Sequence, residues 1–411
     1  MQSRGRSSTQ ARVPRGRYTT RQSVRDARQI PAALGAKIRS LVRKEIEIDL
    51  HRGKAEITDR EFIASYNLMD GLSKTILVPG RPPLWTPSAD NMQLNVDSGD
   101  YYRDENAARF QDYPFEPAVR SIFHMDPSFD TTTIDIVACG STLGNLLRFV
   151  QGIGEPFSFV VHTIGRTAFF ARRNISPTEL IDGVYCFGHH FVEANTTWSQ
   201  EVRGSSSHQR IITYLLGGQK VLVRFEADGY TMDQADDLDA DEDNGGVPVI
   251  AALIEDDFAS MLHPQVPAAA TDEVTVLDRG APIAQSSTID IKTRSVRKQR
   301  NDVLTEQLPR LWLRQIDNIV LSFHNGGFFG PAVVEDIHSM ILEWEEKNQA
   351  VIARLANLIG VIKEAAEQAD GGKLEVRCCE AACLHLHELS RPEQCRWYAI
   401  PDELRKRWAE E

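Results

Sequence analysis

From residue 134 onward the chain switches repeatedly between a two-residue and a 3.6-residue hydrophobic period, and the switches mark out its elements. TIDIVACGSTLGNLLRFV predicts a strand or turn feeding a helix, and PFSFVVHTIG with TAFFARRN predicts two short strands joined as a hairpin at Gly165 and Arg166. GVYCFGHHFVEANTTW reads as the start of a helix that contains Glu193. SHQRIITYLLGG and KVLVRFEADGY are two more strand-like runs, and Gly217-Gly218 between them is strong hairpin punctuation. An antiparallel sheet is therefore expected. STIDIKTRS, residues 287–295, resumes it; NDVLTEQLPRLWLRQIDN carries leucines and Trp312 at helical spacing despite Pro309; IVLSFHNGG returns as a buried strand. Residues 331–372 read as one long amphipathic helix or a helix pair, stopped by Asp370-Gly371-Gly372, with a short strand, KLEVRC, and a polar tail behind it.

The rest of the chain is less regular. Residues 34–50, ending RSLVRKEIEIDL, predict a first helix with an alternating charged face, while 51–130 is mixed and turn-rich. Pro79, Pro82, Pro83 and Pro87 argue there for an extended crossing segment rather than regular structure. Residues 233–248 form an acidic loop insertion ending in Gly-Gly, and 259–285 is equally loop-like. Residues 1–30 hold eight arginines against the single acid Asp26 and few apolar residues, and so predict a disordered basic arm. Such an arm suits a solvated tail, a nucleic-acid contact, a nuclear address or a mitochondrial presequence. Residues 31–411 then read as a single domain, with 332–411 as a C-terminal helical extension and tail.

Composition narrows the class. With 411 residues, 42% of them apolar and 25% charged, the chain can bury a substantial core. No apolar run approaches the roughly 18 to 20 residues that span a bilayer, so no membrane is expected, and a nuclear or cytoplasmic protein is. The six cysteines, 139, 186, 378, 379, 383 and 395, lack the even spacing of a disulfide scaffold. The net charge of −12 includes the basic arm, so the body is more acidic still. Nucleic acid would have to be held by a local basic track or by metal ions, because a field of that sign repels phosphate at long range.

One constellation within residues 222–325 carries chemistry. Glu226-x-Asp228 stands at a strand end, Asp290-x-Lys292 lies inside an apolar strand, and Gln315 sits behind them on a helix. Residues i and i+2 of a strand face the same way, so each pair shares a face, and adjacent strands would gather three carboxylates and one ammonium. Carboxylates crowded together cannot all stay ionised without compensation. Mg²⁺ or Mn²⁺ would resolve the conflict: carboxylate oxygens are their preferred ligands, and two such ions can clamp the attacking and leaving oxygens of a phosphodiester. Lys292 would offset developing charge.

GHHFVE, HQRIITY, LVRFEADGY, STIDIKTRS, LWLRQIDN and NIVLSFHNGG, in that order over residues 134–330, resemble the DXO family of 5′-end decapping and deNADding exonucleases, within the PD-(D/E)XK nuclease superfamily. The resemblance implies an α+β fold, a central mixed β-sheet flanked by helices, with the long C-terminal helix and short strand appended. It places metal-binding acids on Glu193, Glu226, Asp228 and Asp290, the lysine on Lys292 and a substrate-positioning glutamine on Gln315. It implies two divalent ions, and as partners an RNA 5′ end or nucleotide cap and an exoribonuclease. The family shows Glu where this chain has Asp290. Where the family carries an arginine in a W-R-G-like turn, this chain has Cys139-Gly140-Ser141. Arg148, Arg172 and Arg210 are the candidate substitutes for binding the substrate phosphate.

Other signals are weaker. The aspartate run 233–243 resembles the Mg²⁺-diphosphate site of an isoprenyl diphosphate enzyme, but that site needs an all-helical setting, and a solvated loop fits better here. The late cluster Cys378, Cys379, Cys383, His385, His387 and Cys395 matches no paired zinc knuckle, and CLHLHEL alternates as a strand does. Trp312 and Trp344 fall at core spacing. The alternative to an enzyme is a nuclease-fold binding or scaffold protein that has lost turnover.

Overall fold

A computed structural model describes residues 30–46, 54–71, 73–99, 101–181, 186–232, 273–380, 382–389 and 398–410. The predicted basic arm to residue 29, the acidic insertion and Cys395 lie outside the described residues. Two sheets dominate. The larger has eleven strands, in the order Lys37–Val42, Cys383–Glu388, Lys373–Glu380, Phe157–Ile164, Thr167–Arg172, Ile136–Cys139, Gln219–Ala227, Ser205–Leu216, Ile57–Met69, Thr75–Gly80 and Thr275–Gly280. It is mixed: Ile136–Cys139 runs parallel to both of its neighbours, while Ser205–Leu216 and Gln219–Ala227 form an antiparallel hairpin.

Period-two alternation decides which face each residue takes. In the strand Gln219–Ala227, Val221, Val223 and Phe225 join one core with the helices Gly140–Gln151, Arg300–Arg314, His338–Lys347 and Gln349–Glu367; Leu222 faces the other way. There it meets a second core that includes residues of the helices Glu116–Met125 and Asp402–Ala409. The sheet is thus covered by helices on both faces. This α+β architecture, with paired C-terminal helices, is the one expected, and its sheets exclude the all-helical setting a diphosphate site would need.

The smaller sheet orders Met92–Gln93, Phe328–Phe329, Asn318–Asn325, Thr288–Ser295, Gly229–Tyr230, Leu84–Trp85 and Thr196–Thr197. Thr288–Ser295 and Asn318–Asn325 are parallel, which demands a crossover, and the helix Arg300–Arg314 supplies it. The chain leaves the large sheet at Ala227 and enters the small one at Gly229, with Asp228 as the one residue between. Gly229 lies close against its neighbours: a Cβ there would stand 3.1 Å from the Pro83 carbonyl and 3.3 Å from Ile289 Cδ1.

Several expectations are corrected. Residues 37–42 form a strand, not a helix, because they pair with Cys383–Glu388, itself a strand within the supposed polar tail. Ile57–Met69 is a 13-residue strand, and Pro79 lies in the strand Thr75–Gly80 instead of an irregular crossing. Thr275–Gly280, read as loop, runs parallel to Thr75–Gly80. His385 and His387 are held by Ser40 Oγ at 3.0 Å and the Gly35 carbonyl at 2.9 Å. Among the described residues no helix is long and apolar enough to cross a membrane.

Candidate active site

Where the sheets join, the two predicted pairs meet. Asp228 Oδ2 accepts the Ile291 N–H at 2.8 Å, which ties the first pair to the backbone between Asp290 and Lys292. Asp290 is 1% exposed. Arg310 Nη2 donates to its Oδ1, and Arg314 Nη1 stands 3.5 Å from its Oδ2. Both arginines come from the helix Arg300–Arg314, one turn apart on one face.

The charges act on each other strongly. Burial and the adjacent Asp290 push the Asp228 carboxyl up, against the opposing pull of Lys292, the Ile291 N–H and Arg310. Burial acts on Asp290 in the same sense, but Arg310, Lys292 and Arg314 prevail and hold it below the usual carboxylate range. Arg310, burial and Arg314 lower Lys292. Glu226 is exposed at the surface, but the protein packed around its carboxyl desolvates it and, with Asp228, Glu105 and Asp104, pushes it up to about 8.

That shift has a stability consequence. Between its ordinary value of 4.5 and about 8, the folded state holds a proton on Glu226 that the unfolded chain has lost, so stability falls as pH rises through this window. Glu226→Gln, which cannot ionise, is expected to raise the melting temperature at pH 9 and change it little at pH 4.5. Thermal melts in chelator-containing buffer measure this; an equal shift at both pH values would contradict the assignment.

The other predicted residues are more dispersed. Glu193 is exposed on the helix Gly188–Asn195, whose first turn is held by Asp97 accepting the His189 and His190 N–H groups. Its charge acts on Tyr101, whose ring stacks on His189 at 3.7 Å, and it is not among the principal charges acting on Glu226, Asp228 or Asp290. Gln315 closes the helix Arg300–Arg314 in the left-handed conformation, φ 52°, and its Nε2 donates to the Trp312 carbonyl at 2.6 Å. Arg210 is fully buried, held by Gln285 at 3.0 Å and the Ile283 carbonyl at 3.1 Å. Arg148 hydrogen-bonds Asn145 in its own helix, and Arg172 stands 3.8 Å from Asp104. A cavity of about 810 Å³, lined by Lys54, Gly217, Gln219, Gly360 and Lys363, includes none of these residues.

Among the described residues, no three carboxylate, histidine or cysteine groups are arranged closely enough to hold a metal ion as they stand. The donors nevertheless suit one. Asp228 and Asp290 offer hard oxygens, and the buried Asp290 Oδ2 has no hydrogen-bond partner. Sequence reasoning missed Arg310, Arg314, Asp104 and Glu105. The first two carry a legible signal, an i, i+4 pair of cations on the helix that ends at Gln315.

This combination of sheets and helices is the fold of the Rai1 and Dxo1 structures. Rai1 of Scheffersomyces stipitis, solved with (3′-NADP)⁺ and a calcium ion, is similar at 12% identity and a TM-score of 0.56, over 93% of this chain and 99% of that one. Rai1 of Candida albicans, solved with pU5 and Mn²⁺, gives 10% and 0.51 over 90% and 98%. Dxo1 of K. lactis, solved with manganese, gives 10% and 0.53 over 86% and 98%. Identity this low makes the relationship remote, one of fold. Residues 42–408 match the family described as Domain of unknown function (DUF8563), and the chain belongs to that family. No curated protein matches the sequence.

Proposed function

We propose that this protein is a metal-dependent hydrolase of RNA 5′ ends, acting by decapping, NAD-cap removal or 5′-3′ exonuclease chemistry. The observation that carries the reading is the meeting of Glu226 and Asp228 with Asp290 and Lys292 at the junction of the two sheets, tied by the Asp228–Ile291 hydrogen bond. Its substrate class draws support from the fold shared with the Candida albicans Rai1 solved with pU5 and Mn²⁺.

Asp228, Asp290 and Glu226 would hold Mg²⁺ or Mn²⁺, two ions by the resemblance, which also names Glu193 as a further ligand. When bound, the ion supplies charge that lets these carboxylates stay ionised together, and it polarises the phosphodiester. Lys292, whose charge acts on both Asp228 and Asp290, would offset negative charge that develops on the phosphate. Gln315 positions the substrate once its amide leaves the Trp312 carbonyl. Incubation with Mn²⁺ and 5′-monophosphate, triphosphate, capped and NAD-capped RNA tests the reading. Shortened or decapped product is expected from at least one; all four left intact and unbound would overturn it.

A second reading, a nuclease-fold binding protein without turnover, is favoured by the Arg310–Asp290 ion pair, which occupies a ligand oxygen. Tight, carboxylate-dependent Mn²⁺ binding with no product from any of the four RNAs would mark that case.

A further inference from the structure

Two cations in contact with Asp290 are not used by the proposed chemistry. Arg310 and Arg314 lie one turn apart and both face Asp290, on its two oxygens. Their side chains are 29% and 15% exposed, so the pair reaches toward solvent as well as toward the carboxylate. The Nε of each is buried and without a hydrogen-bond partner. Each guanidinium thus has a donor to spare beyond its contact with Asp290.

Arg314 also lies against the turn where an arginine was expected and is missing. Its Nε and Cγ are 3.4 and 3.6 Å from the position a Cβ on Gly140 would take, so the guanidinium stands directly beside that glycine with no side chain between. The helix Gly140–Gln151 begins there, and Cys139 gives it no side-chain cap. A cation from the helix Arg300–Arg314 thereby stands beside the turn that carries none of its own.

We propose that Arg310 and Arg314 are the phosphate-anchoring pair of this site, and that they serve as counter-ions of Asp290 until a divalent cation takes that place. The inference rests on the metal-site reading above. In the metal-free protein the guanidiniums compensate a buried carboxylate that would otherwise be unpaired. With Asp290 engaged by a divalent ion, that partner is lost, and two planar forks of N–H donors one helical turn apart face the solvent side of the site. Such forks match the oxygens of a terminal phosphate, which can take parallel, charge-assisted hydrogen bonds from them. No bond is made or broken in this exchange; the arginines change one anion for another. They are binding and positioning residues.

The exchange predicts opposite signs for two affinities, which a merely structural role would not give. Mn²⁺ alone, titrated calorimetrically into the full-length protein, is expected to bind more tightly to Arg310→Ala and Arg314→Ala than to the wild type, because a competitor for Asp290 is gone. AMP, titrated into the Mn²⁺-saturated proteins, is expected to bind about tenfold more weakly to either variant, the loss of one charge-assisted contact. Adenosine, which lacks the phosphate, is expected to show no such difference. Should an alanine variant not fold, Arg310→Lys and Arg314→Lys keep the charge but lose the fork, and AMP affinity is again expected to drop. AMP affinity unchanged in these variants, or Mn²⁺ affinity falling together with it, would overturn the assignment while leaving the metal site standing. A wild-type protein that takes up no Mn²⁺ would instead sink the metal-site reading, and this inference with it.

Discussion

Asp228→Asn is expected to lower the proposed hydrolysis of RNA 5′ ends by about a thousandfold, the scale on which a site loses catalysis when one pre-organised charge-stabilising group is removed. The melting temperature is expected to stay within a few degrees of the wild type. The two outcomes separate because the side chain has two roles. Structurally, Asp228 Oδ2 accepts the Ile291 N–H where the chain passes between sheets, and an asparagine Oδ1 accepts the same bond. Chemically, in the proposed metal site, Asp228 would bring negative charge beside Asp290 to hold a cation, and asparagine would bring none. The substitution also relieves the repulsion that raises Glu226, so less stability is lost toward alkaline pH than in the wild type. Single-turnover assays with Mn²⁺ on a 5′-monophosphate RNA, beside a thermal melt, give both readings. A folded variant that keeps wild-type turnover would remove Asp228 from the chemistry.

What was legible in the sequence is what local physics determines. Gly217-Gly218 punctuates a hairpin because both residues take positive φ, 60° and 81°, which side-chain-bearing residues rarely adopt. The periods of residues 136–172 and 205–227 gave strands and helix in the right places because those residues bury one face or both. The failures are cases where a distant partner decides. IRSLV has a charged, helix-compatible pattern, yet it becomes an edge strand because Cys383–Glu388 offers it a backbone ladder. None of the six residues of Thr275–Gly280 is buried, so no alternation of buried and exposed positions announces the pairing with Thr75–Gly80.

The site divides in the same way. The common facing of Asp290 and Lys292 was legible because both lie in the strand Thr288–Ser295, where i, i+2 spacing fixes it; Asp228 instead follows the end of its strand at Ala227 and reaches that pair through the junction between the sheets. Arg148, Arg172 and Arg210 were chosen for closeness to the large sheet, but Arg210 is wholly enclosed and hydrogen-bonded to Gln285 and the Ile283 carbonyl. The cations that face the acids come from a crossover helix, and their approach to Asp290 depends on how that helix packs. Asp104 and Glu105 act on Glu226 from a segment some 120 residues earlier in the chain, and no local pattern links the two.

Because the site hangs on that helix, the anchor of the helix should govern the stability of the whole. Trp312 lies between Arg310 and Arg314 in sequence and turns the opposite way, into the core, where it is 1% exposed and packs on Trp344 with ring centroids 5.3 Å apart. Its Nε1–H donates to Glu345 Oε2 at 2.6 Å, and the same carboxylate oxygen accepts the Ile57 N–H at 3.3 Å. Trp312→Ala removes the ring and leaves a cavity, for which about 3–5 kcal/mol of unfolding free energy is expected to be lost. Trp312→Phe keeps most of the packing but strips Glu345, 6% exposed, of its indole donor, with an expected loss of about 1–3 kcal/mol. Urea unfolding of the two variants resolves the contributions, since the midpoint shifts differ while the slope stays the same. If the phenylalanine variant matches the wild type, the Glu345 hydrogen bond holds nothing, and packing alone seats the helix that carries Arg310 and Arg314.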